Sequence, residues 1–142
     1  LKLKKGYKLR NFKVDVNKLK EVLQYVQEKN GGKQQIMIKE DGENIVIDIN
    51  DVIYMESMNQ NVRIVTTKGE HVIRYNIGDF EEKLKRQGFF RVHRGYLVSL
   101  SKVQRFAKGD VIMDNGVAVP VSRSNLKPLK DALYSYVEGS AF

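Results

Sequence analysis

The chain has 142 residues, of which 42% are hydrophobic and 30% charged, a composition typical of a globular protein with about one domain. It has no cysteine, which excludes disulfides and thiolate catalysis, and it lacks the run of ~18 apolar residues that a membrane-spanning helix needs. The net charge of +8 is distributed unevenly along the chain. Residues 1–35 hold ten basic and three acidic side chains, residues 36–60 hold one basic and six acidic side chains, and residues 61–142 hold fourteen basic and eight acidic side chains. These features predict a cytoplasmic protein with no membrane partner and with strongly polarised charge.

Residues 1–33 are predicted to form a basic linker or helical extension outside the main domain. Asp15 can cap a helix from about Val16 to Lys29, and Gly31-Gly32 would end it. The apolar positions of this helix recur at helical spacing, so they are expected to cover another surface. Because the chain starts with Leu1, we also expect it to be part of a longer protein.

From Gln34 onward, apolar and polar residues alternate, which predicts about ten short strands joined by tight turns. Turn signals stand at Asp41-Gly42, at Lys68-Gly69 and at Asn115-Gly116, the last predicted as a type I′ hairpin turn. Short strands with tight turns favour antiparallel sheets. The predicted fold is therefore mainly β with few helices, with a main domain over residues 34–137 and a tail at 138–142.

Two helices are predicted within the main domain. Asn76 can cap an amphipathic helix that ends at Gly88, with Asp79 as its capping-box partner. A C-terminal helix is predicted over residues 124–137, and Pro128 indicates an irregular first turn. One internal helix and one trailing helix are thus expected beside the strands.

Catalytic and metal sites are not indicated by the sequence. His71 and His93 lack metal-ligand spacing to another histidine or acid, and neither a glycine-rich phosphate loop nor a nucleophile elbow is present. Asp48, Asp51 and Glu56 cluster in sequence, and their simplest interpretation is that they solvate turns and strand edges. We therefore predict no enzyme activity, no metal site and no cofactor.

The most informative feature is a run of positive charge in the second half of the chain. No acidic residue lies between Glu82 and Asp110, whereas this interval holds eight lysine and arginine residues. A protein surface usually mixes charges of both signs. Such a run therefore predicts a site for a polyanion.

Three groups in or near this run have the chemistry to read base edges. Arg94 and Arg123 lie on loops beside small residues, where an arginine can reach guanine in the major groove or enter a narrow minor groove. Residues 59–61 are three consecutive amides, which can pair with adenine. Simpler interpretations stay open: Arg94 could form an ion pair with an acid of residues 36–60, Arg123 could be solvated, and the amides could form an ordinary polar turn.

At these residues the chain resembles the LytTR family of DNA-binding output domains of response regulators. The matching segments are Ile49–Ser57, Val62–Ile64 with Thr67–Gly69, Phe90–Val98 and Asn115–Arg123. They follow the family's order and spacing over roughly residues 34–130, and the pairing of Phe-Arg-Val-His-Arg with a downstream Pro-Val-Ser-Arg is specific. The resemblance implies an elongated fold of small antiparallel sheets that reads DNA with loops.

The resemblance also implies particular DNA contacts. The positions implied to read bases are Asn59, Gln60, Asn61, Arg94 and Arg123. Of these, Arg94 would enter a minor groove and the others the flanking major grooves. The positions implied to contact phosphate are Arg63, Arg91, Ser122 and Lys127. His93 would orient its loop from the core side, and Tyr54 and Glu56 would be structural.

The chain departs from the family pattern at two places. Many members carry a Gly-Asn-Tyr-like run where this chain has three amides at residues 59–61, so an aromatic ring is missing there. Serine is frequent at the position of Gly95, so a hydroxyl that could hold a phosphate is also missing. Both changes concern the loops implied to meet DNA.

The resemblance implies double-stranded DNA as the partner, with promoter direct repeats and a homodimer on DNA. Residues 6–9 and the predicted helix after them are weakly similar to the end of a receiver domain, which implies an upstream sensor kinase if such a domain precedes. The favoured function is a sequence-specific transcriptional regulator, the output domain of a two-component system. The alternative is an electrostatic protein- or membrane-interaction module that ignores DNA sequence. RNA binding is less favoured, because the aromatic residues do not cluster with the basic loops.

Overall fold

The computed structural model describes residues 34–137. The predicted basic extension at 1–33, with its helix over residues 16–29 and its boundary glycines, lies outside the described residues, as does the predicted tail at 138–142. The described residues form a mainly β fold with several small antiparallel sheets, as the sequence predicts.

Ten strands and two α-helices follow one another along the described part of the chain. The strands are β1 (Gln35–Glu40), β2 (Glu43–Asp48), β3 (Val52–Met58), β4 (Asn61–Thr66), β5 (Gly69–Arg74), β6 (Phe89–His93), β7 (Tyr96–Ser99), β8 (Val103–Ala107), β9 (Asp110–Met113) and β10 (Ala118–Pro120). The helices are α1 (Ile77–Lys83) and α2 (Leu126–Tyr136). Short 3₁₀ turns occupy Ile49–Asp51, Leu100–Lys102 and Arg123–Asn125.

A five-stranded sheet with the order β5-β4-β3-β7-β6 is the centre of the fold, and its neighbouring strands are all antiparallel. The β1–β2 hairpin and the three-stranded sheet β10-β9-β8 are separate sheets. Each face of the central sheet packs against one of them. Strands β3, β4, β6 and β7 therefore bury apolar residues on both faces, whereas the edge strand β5 buries only Ile73.

Two hydrophobic cores result from this packing. The first core holds Met55, Ile64 and Leu97 and extends to the β1–β2 hairpin and α1. The second core holds Val65 and Val98 together with residues of the three-stranded sheet and α2. Adjacent residues of one strand thus belong to different cores, because successive side chains point to opposite faces of a sheet.

Glu40 links the β1–β2 hairpin to the free edge of β5. Its Oε2 accepts a hydrogen bond of 3.0 Å from the Val72 backbone N–H, and its Oε1 lies 2.8 Å from His71 Nδ1. The hydrogen bond from His71, followed by that from Val72, lowers the pKa of Glu40 below its ordinary value of 4.5. The carboxylate thus occupies a backbone donor of β5 that would otherwise be free to pair with another strand.

The turns follow the sequence prediction in one hairpin and differ in another. Asp41 and Gly42 both have positive φ, 52° and 81°, as the predicted hairpin turn requires. The Asn115-Gly116 turn is not type I′, because only Gly116 has positive φ there. The Gly116 N–H donates to the Met113 carbonyl, so Gly116 follows a turn and does not form its centre.

The helices begin and end differently from the predicted boundaries. Asn76 caps α1 as predicted, but its Oδ1 accepts from the Gly78 N–H at 2.7 Å, and the predicted capping-box bond of Asp79 does not form. Residues 84–88 are turns, so α1 is shorter than predicted. A 3₁₀ turn occupies the predicted start of α2, which fits the irregular start that Pro128 indicated.

Candidate nucleic-acid interface

Several loops meet at one end of the five-stranded sheet, which we call the reading end. The strand termini that lie there are Met58 of β3, Asn61 of β4, Arg74 of β5, His93 of β6 and Tyr96 of β7. Because all neighbouring strands are antiparallel, the β3–β4 turn, the β6–β7 turn and the β5–α1 junction project from the same end. The sequence separates these segments by up to about 40 residues, and the sheet brings them together.

The predicted amide loop is the two-residue turn Asn59-Gln60, with Asn61 as the first residue of β4. All three amides are exposed. Asn59 has φ 60°, a left-handed conformation that asparagine adopts more readily than most residues. The Gln60 carbonyl accepts from the Tyr75 N–H at 3.3 Å. The turn is therefore tied to the start of α1 while its side chains stay open to solvent.

The β6–β7 turn consists of Arg94 and Gly95 and is held from two sides. The Gly95 N–H donates to His93 Nδ1 at 3.1 Å, and the Gly95 carbonyl accepts from the Ser57 N–H at 2.8 Å. Nδ1 is thus the acceptor nitrogen of the His93 ring, which orients the turn from its own strand. The Arg94 side chain is exposed, and it forms no ion pair with any residue of the range 34–137.

A cleft of about 560 Å³ lies between these two turns. Its lining residues are Ser57, Asn59, Gln60, Arg74, Tyr75, Asn76, Ile77, Arg91 and Arg94. Three of them are arginines and three carry side-chain amides, and none carries a carboxylate. Guanidinium groups bind phosphate and guanine, and amides bind adenine, so this lining suits a nucleic acid.

Arg91 lines the same cleft, but its guanidinium is engaged with protein atoms. Its Nη1 donates to Glu81 Oε1 at 2.8 Å, its Nε donates to the His93 carbonyl at 3.1 Å, and its Nη2 donates to the Arg94 carbonyl. Arg91 lies opposite Leu97 in the β6–β7 ladder, so its side chain is on the face of the first core, where α1 packs.

Arg63 lies on the opposite face of the central sheet, within a network of ion pairs. Its Nη2 lies 2.6 Å from Glu56 Oε1 and its Nη1 lies 3.1 Å from Glu70 Oε1. The hydrogen bond to Glu56 raises the pKa of Arg63 well above its ordinary value. The Tyr96 hydroxyl donates to the other Glu56 oxygen at 3.0 Å, and burial, followed by this bond, raises the Tyr96 pKa.

The sheet thus separates two arginines that were predicted together as phosphate contacts. Arg91 borders the cleft and Arg63 does not. The network of Glu56, Arg63 and Tyr96 ties β4, β3 and β7 together across the sheet. The resemblance implied such a structural position for Glu56, whereas the simpler interpretation, that Glu56 solvates a strand edge, does not fit a carboxylate that is only 24% exposed and paired with Arg63.

The remaining predicted positions lie where β10 leads into α2. Arg123 begins a 3₁₀ turn and is exposed, and within the described part of the chain it has no ion pair. The Ser122 N–H donates to the Val92 carbonyl at 2.8 Å, and the Asn125 side-chain amide donates to the same carbonyl at 3.2 Å. These bonds fix the turn to β6. Lys127, 85% exposed, lies 3.2 Å from Asp131 one helical turn later.

A second cleft, of about 460 Å³, runs between α1 and the Arg123 turn. Its lining residues are Glu81, Lys85, Phe89, Phe90, Arg91 and Asn125. Arg91 borders both clefts. Three turns are therefore arranged around strand β6 and its Arg91: the amide turn Asn59-Gln60, the Arg94 turn (Arg94-Gly95) and the Arg123 turn (Arg123–Asn125).

Sequence reasoning missed Arg74 and Asn76 as cleft residues and missed the partner of Arg91. Arg74 ends β5 and Asn76 caps α1, and a lone arginine or a helix cap carries no binding signal in a sequence. The Arg91–Glu81 pair spans ten residues between a helix and a strand. Only the packing of α1 against the sheet brings that pair together.

Two kinds of site are absent from the part of the chain that the structure describes. No group of three or more histidine or acidic residues is arranged to hold a metal ion there. Neither described helix is long and apolar enough to cross a membrane.

A comparison with protein families decides what kind of domain this is. Residues 42–134 match the model of the LytTr DNA-binding domain. The chain belongs to the LytTR family of DNA-binding domains. The match covers most of the described residues and includes both turns of the reading end and the Arg123 turn.

Named relatives of this LytTR chain are regulatory proteins. The chain is 32% identical over 96 positions to the transcriptional regulatory protein YpdB of Escherichia coli K12, and the match covers 63% of this chain and 39% of YpdB. It is 23% identical over 120 positions to the sensory transduction protein LytT of Bacillus subtilis, and that match covers 81% of this chain and 50% of LytT. The chain is also 32% identical over 93 positions to the CO-responsive transcriptional regulator RcoM of Rhodospirillum rubrum, and this match covers 61% of the chain and 39% of RcoM. The chain thus spans half or less of the length of these relatives.

A solved structure has the same fold. It is the LytTr DNA-binding domain of a Bacillus cereus protein named as a methyl-accepting/DNA response regulator, with a TM-score of 0.61 and 24% identity. The similarity covers 71% of this chain and 97% of that domain. The predicted LytTR-like fold is therefore confirmed.

Proposed function

We propose that this chain reads DNA sequence with the three turns arranged around β6, as the DNA-binding part of a transcriptional regulator. The observation that carries the proposal is the cleft at the reading end, which is lined by the exposed amide turn and by Arg94, has no lining carboxylate among the described residues, and holds an arginine without an ion pair in the range 34–137. Membership of the LytTR family supports DNA as the ligand.

Within this proposal the exposed side chains divide into two roles. Asn59, Gln60, Arg94 and Arg123 contact base edges, since amides and unpaired guanidiniums provide the bidentate hydrogen bonds that discriminate bases. Arg94, on the central turn, enters a minor groove, and the amide turn and Arg123 enter the major grooves on either side. Lys127 and the Ser122 hydroxyl contact phosphates, which fixes the register of the domain without reading sequence.

The names of the relatives support a regulatory setting. YpdB and RcoM are named transcriptional regulators, and LytT is named a sensory transduction protein. We infer that this domain similarly serves as the output part of a regulator and binds paired repeats as two copies. An upstream receiver domain and sensor kinase are part of the same proposal.

Selection of bound duplexes from a random pool tests the proposal directly. The 142-residue chain is incubated with the pool at moderate salt, and the selection is repeated with Arg123→Ala. We expect two short repeats about one helical turn apart. We expect Arg123→Ala to cost about 1–3 kcal/mol on the recovered site and to blur its preference at a few positions.

Other outcomes would point to a different function. If no motif emerges and binding disappears uniformly as salt rises, the chain is an electrostatic module that ignores sequence. If Arg123→Ala weakens binding to selected and random DNA equally, Arg123 contacts the backbone and does not read bases.

A further inference from the structure

Arg91 is bound to three protein acceptors at the base of the turn that carries Arg94. Each nitrogen of its guanidinium has a partner: the Glu81 carboxylate, the His93 carbonyl and the Arg94 carbonyl. The side chain is only 25% exposed. The guanidinium is planar and its N–H donors have a fixed geometry, so these three bonds fix the orientation of the group, and each of its nitrogens already contacts the protein.

The acceptors of Arg91 lie in the turn itself. The carbonyls of His93 and Arg94 come just before and within the two-residue turn. The Gly95 N–H is held by the His93 ring, and the Gly95 carbonyl is held by the Ser57 N–H. The backbone from which the Arg94 side chain projects is therefore restrained on each side, whereas that side chain itself is exposed.

Helix α1 supplies the anchor for this arrangement. Glu81 projects from α1, and the helix is fixed on the sheet by Ile77 and Phe80 in the first core. The ladder of β6 and β7 is irregular between Arg91 and His93. A bulge of this kind re-aims side chains next to binding sites. Here the irregularity lies directly after Arg91, whose guanidinium contacts both the Arg94 turn and Glu81 of α1.

We propose that Glu81 and Arg91 form a clamp that presets the Arg94 turn, so that Glu81 sets base preference without touching DNA. This inference rests on the proposed function, and it reassigns Arg91 from a phosphate contact to a positioning residue. A group held in place before binding loses less conformational entropy on binding. A reading side chain also discriminates bases only while its geometry is held.

Glu81→Gln tests the clamp, and Glu82→Gln is its matched control. Both residues are on α1, and both substitutions remove one negative charge from the same helix. Glu82 lies outside the clamp, 3.9 Å from Lys85. The 142-residue chain is titrated, at one salt concentration, with its selected duplex and with duplexes altered at single base pairs.

We expect Glu81→Gln to lower the ratio of selected-site to altered-site affinity about tenfold at the base pairs that Arg94→Ala also affects. The ratio at base pairs sensitive to Arg123→Ala should stay unchanged, as should all ratios for Glu82→Gln. In the Arg94→Ala background, Glu81→Gln should change the ratios less than about twofold, because coupled residues are not additive. Arg91→Lys should reproduce the effect of Glu81→Gln, since an ammonium keeps the charge but lacks the fork of donors.

The inference is overturned if Glu81→Gln and Glu82→Gln behave alike in a chain that does select sequence. It is also overturned if Arg91→Gln lowers affinity uniformly and reduces the salt slope by about one, since that is the signature of a phosphate contact. Absence of any preference in the unmodified chain would instead count against the proposed function. Arg91→Lys serves as the test if urea unfolding shows that Glu81→Gln is not folded.

Discussion

At one end of the central sheet the ammonium of Lys68 lies 3.4 Å from the Asp51 carboxylate, whereas at the reading end Arg94 has no ion pair within residues 34–137. Asp51 also accepts a hydrogen bond from the Thr67 hydroxyl, and its carbonyl accepts from the Thr67 N–H. The sheet therefore places Lys68 beside a carboxylate at one end and leaves Arg94 available to an anion at the other. At the Lys68 end the carboxylate comes from Asp51, in the 3₁₀ turn that precedes β3.

Arg63 and Arg94 give the same lesson within the basic part of the chain. Arg63 forms ion pairs with Glu56 and Glu70, whereas Arg94 projects from a restrained turn into solvent. A count of positive charges does not distinguish them. Arg63 is held by two carboxylates, whereas Arg94 has no ion pair within residues 34–137 and remains available to a polyanion.

The largest difference between the two ends should appear in DNA affinity. Arg94→Ala is expected to weaken binding to the selected duplex by about 1–3 kcal/mol, because the proposed function makes Arg94 a base-reading side chain. Lys68→Ala, at the opposite end, should change affinity by less than about 0.5 kcal/mol. Fluorescence anisotropy titrations at one salt concentration measure both. Equal losses would show that the two ends do not differ in their access to DNA.

The Arg63 network should matter for stability and not for base preference. Glu56→Gln leaves Arg63 and Tyr96 without their shared carboxylate, so we expect it to lower the free energy of unfolding by about 1–3 kcal/mol. Glu70→Gln removes the more exposed partner and should cost less than about 1 kcal/mol. Urea unfolding followed by circular dichroism checks both. A changed base preference in folded Glu56→Gln would contradict this separation of roles.

The salt dependence of binding offers a finer comparison. Lys127→Ala should reduce the slope of log affinity against log salt by about one, since it removes one proposed phosphate contact, and should weaken all duplexes similarly. Lys68 is about as exposed as Lys127, with 80% against 85% of the side chain accessible, and provides the control. An unchanged slope for Lys127→Ala would remove Lys127 from the set of phosphate contacts.

The smallest expected effect concerns pH and the Glu40 contact on β5. Because the Glu40 pKa is lower in the folded chain than its ordinary value of 4.5, its stabilising effect is present above about pH 4.5 and is lost as the pH falls through the lowered value. Glu40→Gln should therefore flatten the decline of stability in this acidic range. Glu43→Gln, on the same hairpin, should keep the slope of the parent chain. Urea midpoints measured from pH 5 to pH 3 distinguish the two.

Much of this fold follows from local sequence signals. The alternation of apolar residues predicted ten short strands, Asp41-Gly42 predicted the first hairpin, and Asn76 predicted the start of α1. These predictions succeed because turn and cap preferences act over a few neighbouring residues. The type I′ prediction at Asn115-Gly116 is wrong because the loop there has three residues, 114–116, of which only Gly116 is left-handed.

The arrangement of the candidate site could be predicted only in part. Charge, amide chemistry and family resemblance predict which residues contact DNA, but the convergence of the amide turn and Arg94 depends on a strand order that no local signal encodes. A strict alternation along β6 would also put Arg91 and His93 on one face. The irregular ladder between these residues breaks that pattern, so the partner of Arg91 could not be inferred from spacing.

If copies of this domain bind adjacent stretches of DNA, as proposed, Glu40 has a consequence for how they behave there. Edge strands with open N–H groups recruit strands from neighbouring molecules and lead to aggregation. By occupying the Val72 N–H, the Glu40 carboxylate makes β5 a poor template for such recruitment. Under the proposed function, domains held close by one duplex would then not pair their sheets, and acidification, which protonates Glu40, would remove that protection.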